Sequence, residues 1–340
     1  QGTDNDQLRG SSNQVTMTTD REVHATFVEY IPRVLLVPDV YPTIEQAVAA
    51  AYDGDTIIVR PGIHYVQSSD GIDFGGKALK LLSTRPDDPA TIAGTIIDCQ
   101  GARLAPRRAF YFHTGEFENA VVAGFTVRNG WMNGGVGTFA PRYIWPPIPP
   151  NFDVPDTIFS AVSGGDLTGD GYGGAILCEN ASSPTIQYCV FVQNTVTGAQ
   201  GNDGTDGDMD ILGPALFRQN SYHSMPGGHG GTGTGNGYGG AIACLDGSSP
   251  LIGYCTFTKN TAHGGCGGNG GDAGRLQPLA DAGLPIGNAS RGGTGGDGYG
   301  AGKGGAIYAD FNSGPVLVHC EFMDNVATDG IEGRGGARSD

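Results

Sequence analysis

The stretch that decides the fold is Gly171-Tyr-Gly-Gly-Ala-Ile-Leu-Cys178, which continues through Ser183-Pro-Thr-Ile-Gln-Tyr-Cys-Val-Phe-Val-Gln-Asn194. The same pattern returns over 237–260 and again over 304–325. The phenylalanines of the three copies, Phe191, Phe257 and Phe322, are separated by 66 and 65 residues. A recurrence at a fixed period indicates stacked structural units rather than one irregular globule.

One copy of the pattern contains two short runs in which apolar residues alternate with smaller or polar ones. These runs cover 175–178 and 185–192, and alternation at period two is typical of β-strands. Two or three short strands in about twenty residues are typical of one turn of a parallel β-solenoid. The sequence therefore predicts an all-β parallel β-helix in which Ile176 and Cys178 point inward and Leu177 points outward.

Stacked turns place equivalent residues directly above one another, near the strand spacing of about 4.8 Å. We therefore expect three ladders of equivalent residues, and buried Phe side chains make the first of them a core. An Asn ladder at a corner gains hydrogen bonds along the stacking axis. The expected ladders are Phe191, Phe257 and Phe322; Cys189, Cys255 and Cys320; and Asn194, Asn260 and Asn325.

The pairing of Gly-Gly-Ala-Ile with Phe-x-x-Asn resembles the signature of the chlamydial polymorphic membrane proteins. The form Ser-Ser-Pro-Thr-Ile-x-x-Cys-x-Phe-x-x-Asn is similar to repeats of right-handed parallel β-helix proteins on bacterial surfaces. The resemblance covers about residues 40–130 and the three copies. It implies a right-handed β-helix in an extracellular or cell-surface protein, in a group that includes adhesins and many members without known function.

We divide the chain into an N-terminal arm with strands (1–40), a capping helix with the first β-helix turns (41–130), and three repeats with inserts (131–340). Strands are expected within 22–31 and 33–38. The segment 41–51 predicts a short helix with Ile44, Val48 and Ala51 on one face. A helix followed by Gly-Asp-Thr-Ile-x-Val-x-Pro-Gly resembles the entry of right-handed β-helices, where the helix covers the first open turn. The run 119–129 reads as Phe125-x-x-x-Asn129, a stretched version of the later corner.

Three long inserts separate the repeats, at about 131–170, 199–235 and 264–298. They hold 30 of the 60 glycines. Inserts that leave equivalent positions should emerge side by side. Glycine-rich segments pack together as extended, polyproline-like backbones or stay mobile, and we favour packing because neighbouring turns fix their ends.

The composition restricts the classes of partner that we expect the protein to bind. The 19 Lys and Arg against 35 Asp and Glu give a net charge of −16, which disfavours nucleic acid and anionic lipid as partners. No apolar run is long enough to span a membrane. The recurring cysteines predict buried, reduced thiols, with disulfides between turns as the alternative. Cys266 lies in a predicted exposed loop, where it would be able to crosslink subunits or bind metal.

Calcium is the one cofactor that the sequence suggests. Asp166-Leu-Thr-Gly-Asp170-Gly resembles the first half of a calcium loop, in which oxygen ligands alternate along the chain. A denser acidic cluster follows in the next insert. The alternative to calcium binding, for both segments, is that their Asp-Gly pairs form solvated turns. Asp170, Asn236 and Asp297 each precede Gly-Tyr and are expected to form a further ladder. The candidate metal ligands are Asp166, Asp170, Asp203, Asp206, Asp208 and Asp210.

Catalytic residues are not apparent. Gly228-His229-Gly230 resembles a motif of β-helical polygalacturonases, but the paired aspartates and Arg-x-Lys of that family are missing. The expected outward strand positions are mostly neutral: Leu177, Val190, Val192, Ala243, Thr256, Thr258, Tyr308 and Met323. We therefore expect a non-catalytic structural protein, such as a fibre subunit, stalk or adhesin-like passenger. The alternative is a carbohydrate-active or carbohydrate-binding β-helix, such as a polysaccharide lyase or hydrolase.

The third copy ends near residue 328 and is followed by residues that look like another insert. Without a capping element the last turn exposes unpaired strand edges. We expect either that the chain continues or that another subunit covers this turn by head-to-tail self-association. A cell-surface polysaccharide is the other expected partner. The start at Gln1 would fit a mature N-terminus of a secreted protein.

Overall fold

The computed structural model describes residues 29–135, 161, 163–206, 226–273 and 291–337. Within them, short strands dominate and every pair of neighbouring strands is parallel. The two helices are short: α1 spans Ile44–Ala50 and α2 spans Pro89–Gly94. The protein is therefore an all-β structure built from parallel sheets.

Six sheets hold the strands, and in each sheet the strands follow one another in chain order. The strands are β1 Val34–Val37, β2 Thr56–Val59, β3 Gly62–Tyr65, β4 Lys80–Ser83, β5 Thr95–Asp98, β6 Phe110–Phe112, β7 Val121–Ala123, β8 Thr126–Arg128, β9 Trp131–Asn133, β10 Leu167–Thr168, β11 Gly171–Tyr172, β12 Ile176–Cys178, β13 Thr185–Gln187, β14 Val190–Val192, β15 Thr195–Thr197, β16 Gly233–Thr234, β17 Gly237–Tyr238, β18 Ile242–Cys244, β19 Leu251–Gly253, β20 Thr256–Thr258, β21 Thr261–His263, β22 Gly298–Tyr299, β23 Gly302–Lys303, β24 Ile307–Ala309, β25 Val316–Val318, β26 Glu321–Met323 and β27 Val326–Thr328. The seven-stranded sheet runs β1-β2-β4-β7-β13-β19-β25, and the six-stranded sheet runs β3-β5-β8-β14-β20-β26. The other four sheets are β6-β12-β18-β24, β9-β15-β21-β27, β10-β16-β22 and β11-β17-β23.

The strand register confirms that the recurrence is a stack. Ile176 pairs with Ile242, which pairs with Ile307. Phe191 pairs with Phe257, and Phe257 pairs with Phe322. Equivalent positions of the three copies therefore lie one above another, as the period predicts.

The predicted Phe ladder forms the centre of the repeat core. The rings of Phe191 and Phe257 stack with centroids 5.0 Å apart, and the same distance separates Phe257 from Phe322. Phe191 and Phe257 are fully buried. Burial of a side chain of this size contributes roughly 1.5–3 kcal/mol, so this ladder is a main source of stability.

The predicted Asn ladder is also confirmed. The amide of Asn194 donates to Asn260 Oδ1 at 2.9 Å, and the amide of Asn260 donates to Asn325 Oδ1 at 2.9 Å. The backbone N–H of Asn194 donates to the same Asn260 oxygen. Each asparagine thus satisfies buried polar groups of the copy beside it.

All seven cysteines are free thiols, and five of them are buried, as predicted for the recurring cysteines, whereas Cys266 and Cys320 are half-buried. Cys178 pairs in register with Cys244, and Ala309 takes the third place in that row. Cys255 Sγ donates to the carbonyl oxygens of Ile186 and Gly253. The buried thiols thus fill space within the core.

Two of the predicted outward positions, Leu177 and Ala243, are buried; they lie in register with Tyr111 and Tyr308, respectively. One detail of the predicted pattern is wrong. The run 119–129 is not a stretched copy of the later corner. Val127 pairs with Phe191, and the N–H of Gly130 donates to Asn194, so the alignment of Phe125 with the later phenylalanines is off by two residues.

The capping helix α1 lies where the sequence predicts it, although it begins at Ile44 after an N-cap at Thr43. Ile44, Val48 and Ala51 are buried in the continuous core. At its other end, Lys77 Nζ donates to the carbonyls of Val48 and Ala51. Helix α2 was not predicted. Its sequence carries a recognisable start, because Asp88 accepts from the Thr91 N–H and Pro89 is the first helical residue.

Asp55 holds the first described residues of the chain against the start of the stack. Its buried carboxylate accepts hydrogen bonds from the N–H groups of Arg33 and Tyr52, from the Tyr30 hydroxyl and from the Arg33 guanidinium. Burial alone raises the pKa of Asp55, but these hydrogen bonds outweigh burial and hold the pKa well below its usual range. The segment 29–33 runs beside this carboxylate without forming the expected strand, and the rest of that expected strand lies outside the described residues.

The Asp55→Asn variant should show a weaker dependence of stability on pH than the wild type. A carboxyl whose pKa is lowered on folding stabilises the protein above its unfolded pKa of about 3.9, and this stabilisation is lost as the pH falls towards the folded pKa. The free energy of unfolding, measured by denaturant titration between neutral and acidic pH, should therefore differ most between the two proteins above pH about 4. A constant difference down to strongly acidic pH would contradict the assignment.

Candidate functional site

Glycine-rich segments form a packed bundle beside the strand sheets. We call this the glycine bundle; its described segments are 163–170, 198–206, 226–236, 264–273, 291–298 and 330–337. Within a segment, hydrogen-bond donors recur at every third residue: Gly201 and Gly204 donate to carbonyls of 266 and 269. Gly228 and Gly231 donate in the same way to 205 and 202. A donor at every third residue matches the three residues per turn of polyproline II, which confirms for these residues the prediction that the inserts pack.

Side chains are excluded from the interior of the glycine bundle. A Cβ atom placed on Gly231 would lie 2.2 Å from the carbonyl oxygen of Gly165, and one placed on Gly268 would lie 1.9 Å from that of Asn202. Neighbouring backbones therefore approach as closely as in other assemblies of polyproline-like chains, where only glycine fits. The bundle owes its cohesion to backbone hydrogen bonds rather than to an apolar core.

Acidic side chains outside this interior connect one insert to the next. Asp166 Oδ1 accepts from the Thr232 N–H at 2.6 Å, and Asp203 Oδ1 accepts from the Asn269 N–H at 2.7 Å. Asp206 Oδ1 accepts in the same way from Asp272, at 2.8 Å. Each pair joins residues 66 positions apart. These carboxylates therefore bridge equivalent positions of successive repeats.

Asp170 belongs to the same system, since its Oδ1 accepts from the Asn236 N–H at 2.6 Å. Asn236 Oδ1 in turn accepts from Ala301 N–H. The third member of this predicted ladder is thus Ala301 rather than Asp297. The reason is the register, because Gly298 pairs with Gly233 whereas Gly302 pairs with Gly237.

The predicted calcium ligands are therefore spread along the bundle. Asp166 and Asp170 lie on a segment that leads from an insert back into the strands. Asp203 and Asp206 lie on a segment that leads from the strands into the next insert. Asp208 and Asp210 lie outside the described residues. No cluster of three or more Asp, Glu, His or Cys side chains suited to a metal occurs in the described part of the chain. Calcium binding stays a prediction, and the observed role of the four described carboxylates is to accept backbone hydrogen bonds.

Cys266 is not in an exposed loop. It is half-buried in the glycine bundle, where it bridges Gln200 on one side and Ile331 on the other. Burial raises the pKa of its thiol. A protonated, half-buried thiol is a poor candidate for crosslinking subunits.

The last described turn of the stack exposes a group of apolar side chains. Here β24, β25, β26 and β27 are each the last described strand of their sheets. Phe322, at the end of the Phe ladder, is 48% exposed, whereas Phe257 is fully buried. Leu317, Met323 and Val326 are exposed beside it. A hollow of about 560 Å³ opens at this end, lined by Ile307, Leu317, Phe322 and Asn325 among others.

Aromatic side chains also form rows on the outside. Tyr188, Tyr254 and His319 stack with ring centroids 5.0 Å apart. Because each ring covers the face of the next, mainly the ring edges are presented to a ligand. His229 of the Gly-His-Gly motif is likewise part of a row, since its Nδ1 accepts from the Thr294 N–H at 3.0 Å. Neither row has the arrangement of a catalytic centre.

One group of ionisable side chains was missed by the sequence analysis. It lies on the outward side of β6 and β12, where Tyr111 donates a hydrogen bond to Glu179, and His113 Nε2 lies 3.2 Å from Asp73. The rings of Tyr111 and His113 stack 4.1 Å apart. Arg108 lies above the Tyr111 ring, 5.5 Å from its centroid. We call these five residues the Tyr111 cluster.

Burial and the hydrogen bond to Glu179 raise the pKa of Tyr111 to about 12. The phenol is therefore a hydrogen-bond donor rather than a base near neutral pH. Alternation along 110–113 indicates that Tyr111 and His113 share a face. Their pairing with Glu179 and Asp73 depends on which residues of neighbouring turns lie side by side. The β6 segment lacks the glycine-rich motif of the repeats, so the sequence does not reveal this register.

Comparison of the chain with protein-family models, with curated proteins and with solved structures returns no match. In the described part of the chain, no helix has the length and apolar character that crossing a bilayer requires. The class that the coordinates define is thus an all-β protein of stacked parallel strands.

Proposed function

We propose that the protein is a non-catalytic structural protein of the cell surface or extracellular space, which associates with itself head to tail. The observation that carries this proposal is the register of the stack, in which equivalent apolar residues of the three copies fill the interior. The strand edges of the last described turn, around exposed Leu317, Phe322 and Val326, fit either a further turn of the same chain or a second copy of it. The described polar groups of the glycine bundle, by contrast, are largely engaged in bonds between repeats.

The proposed architecture is a right-handed parallel β-helix. The sheets contain successive strands of the chain in order, all parallel, and connections between parallel strands of one sheet are right-handed in about 98% of cases. The motif resemblance to chlamydial polymorphic membrane proteins and related surface proteins supports the same hand and an extracellular location. A fibre subunit, a stalk and an adhesin-like passenger all fit this architecture.

Location is testable separately from assembly. Protease treatment of intact source cells should remove the protein if it is on the surface. Protection of the protein in intact cells, with digestion after lysis, would place it inside and contradict the proposed location.

Self-association should depend on Phe322. In light scattering and negative-stain microscopy, the wild type should form rods or larger species as its concentration rises. The Phe322→Asp variant should remain monomeric, because it places a charge in the apolar end. The Val326→Asp variant tests the same surface if Phe322→Asp weakens its own repeat.

Phe117→Asp provides the matched control, because Phe117 is 69% exposed and lies far from the last repeat in sequence. It should associate as the wild type does. A wild type that stays monomeric at high concentration, or equal association of all variants, would rule out the last described turn as the contact.

A carbohydrate-binding or carbohydrate-active β-helix is the second candidate, and the Tyr111 cluster favours it. Its two carboxylates, Asp73 and Glu179, lie on one outward face with His113 and Tyr111 between them, and such groups hydrogen-bond sugar hydroxyls. A cell-surface polysaccharide is the corresponding partner. Glycan-array binding that is lost in Glu179→Gln but retained in Glu321→Gln would favour this candidate over the first.

A further inference from the structure

Two tyrosines on the outside of the stack are held side by side at the same corner of neighbouring turns. Tyr188 lies between β13 and β14, and Tyr254 lies at the equivalent place between β19 and β20. Both adopt the left-handed backbone conformation, with φ angles of 51° and 54°. The Tyr188 N–H donates to the Gly253 carbonyl at 3.0 Å. The backbone therefore fixes the positions from which the two rings leave the chain.

The two rings are close together and accessible. Their centroids are 5.0 Å apart and their planes differ by 10°. Tyr254 is 48% exposed, and within the described part of the chain neither hydroxyl makes a hydrogen bond. Because Tyr188 and His319 cover the two faces of the Tyr254 ring, its exposed surface is mainly the ring edge. That edge carries the hydroxyl and the adjacent Cε carbons.

A second pair of stacked tyrosines has less freedom to move. The rings of Tyr172 and Tyr238 are also 5.0 Å apart. The Tyr238 ring, however, is enclosed by Tyr308, with centroids 4.5 Å apart, and by the Lys303 ammonium, 5.1 Å from its centroid. The Tyr172 hydroxyl donates to Asp170. This pair therefore provides an internal comparison, equal in ring distance but more tightly held.

We propose that Tyr188 and Tyr254 are a site of oxidative modification, at which a one-electron oxidant joins the two rings into a dityrosine. A peroxidase acting with hydrogen peroxide is an oxidant of this class. It removes one electron and one proton from each hydroxyl, and the two phenoxyl radicals form one C–C bond between a Cε carbon of each ring. The hydrogen on each of these carbons then moves to the oxygen of its ring, which restores both phenols. One hydrogen peroxide takes up the two electrons and two protons and becomes two waters.

Proximity favours this pair over collisions between chains. Two rings with centroids 5.0 Å apart have an effective concentration far above the micromolar concentration of dissolved protein. Coupled rings lie edge to edge, so the stacked rings must tilt, and the exposed edge of Tyr254 leaves room for this movement. The bond connects residues 66 positions apart and restricts the unfolded chain as a disulfide does. This covalent link between turns does not depend on self-association of the chain.

Treatment of the full chain with a haem peroxidase and hydrogen peroxide tests the proposal. The readouts are dityrosine fluorescence, a denaturing gel and mass spectrometry of proteolytic peptides. We expect a linked peptide pair that contains Tyr188 and Tyr254 and has lost two hydrogen atoms. The product should migrate as a single chain on the gel, and its yield per chain should not change on dilution.

Conservative variants assign the linked peptide to this pair. Tyr254→Phe and Tyr188→Phe each keep a ring in the row but cannot form a phenoxyl radical, so each should abolish the linked peptide. Tyr65→Phe is the control, because Tyr65 is 46% exposed and stacks on no ring in the described part of the chain. It should form the link as the wild type does. Circular dichroism and the melting temperature check that each variant folds.

The proposal is overturned if the oxidised wild type contains no peptide that links Tyr188 to Tyr254. It is also overturned if dityrosine occurs only in species of two or more chains, since the coupling is then intermolecular. A link between Tyr172 and Tyr238 at equal or higher yield would show that exposure and freedom to tilt do not select the pair.

Discussion

Replacing Gly268 with alanine is expected to break the glycine bundle at its centre. The new Cβ would lie 1.9 Å from the Asn202 carbonyl oxygen and 2.4 Å from its carbon, and both are backbone atoms that cannot rotate away. Overpacking of this kind typically costs about 1–3 kcal/mol, and we expect at least the upper end because two segments must separate. Hydrogen exchange should show faster exchange at the Gly231, Gly268 and Gly296 N–H groups, whose bonds connect these segments.

Gly335→Ala is the matched control. The nearest atom to a Cβ at Gly335 is the Gly293 carbonyl oxygen at 3.6 Å, which is an ordinary contact. This variant should keep the stability and the exchange protection of the wild type. Equal behaviour of the two variants would mean that the inserts do not pack as described.

Removing the central asparagine of the Asn ladder is expected to have an effect of similar size. In Asn260→Ala, the Phe191 carbonyl, the Asn194 N–H and the Asn325 amide oxygen all lose a hydrogen bond. An unsatisfied buried polar group costs about 1–3 kcal/mol, so the free energy of unfolding should fall by about 3–5 kcal/mol. Thermal or denaturant unfolding measures this loss.

Asn312→Ala serves as the control for that experiment. Asn312 is exposed on the loop before β25, and only its backbone N–H makes a hydrogen bond. Substitutions at such surface sites usually change stability by less than about 0.5 kcal/mol. A loss in Asn260→Ala no larger than this would show that the amide ladder contributes little.

The repeat core could be read from the sequence because its period is nearly constant. Once Phe191, Phe257 and Phe322 are aligned at 66 and 65 residues, the Asn and Cys ladders follow without further information. Residues near the start of the stack were harder to place, since the early turns lack the repeat motif. Val127 and Gly130 occupy the Phe and Asn places there, and neither residue type signals its position.

The interior of the glycine bundle was predictable only in outline. Glycine-rich composition indicated extended packing, but which carbonyl each N–H would meet depends on contacts between separate inserts. The acidic residues illustrate the same limit. Alternating Asp and Gly suggests an ion, whereas in the structure Asp166 and Asp203 accept backbone N–H groups of the next insert.

The Tyr111 cluster escaped detection for a related reason. Arg108, Tyr111 and His113 belong to an early turn, whereas Glu179 belongs to the first repeat, about 70 residues later in the chain. Only the pairing of β6 with β12 brings them together. The outward positions of the three repeats are mostly neutral, so the repeats themselves do not signal the ionisable residues that the same register places on β6.

A crystal structure of the protein gives the most direct test of the stacking on which this account depends. It should show the rings of Phe191 and Phe257, and those of Phe257 and Phe322, stacked with centroids 5.0 Å apart. The Asn260 amide should connect the copies on either side. Phenylalanine rings that lie far apart, or that face solvent along the whole stack, would contradict it.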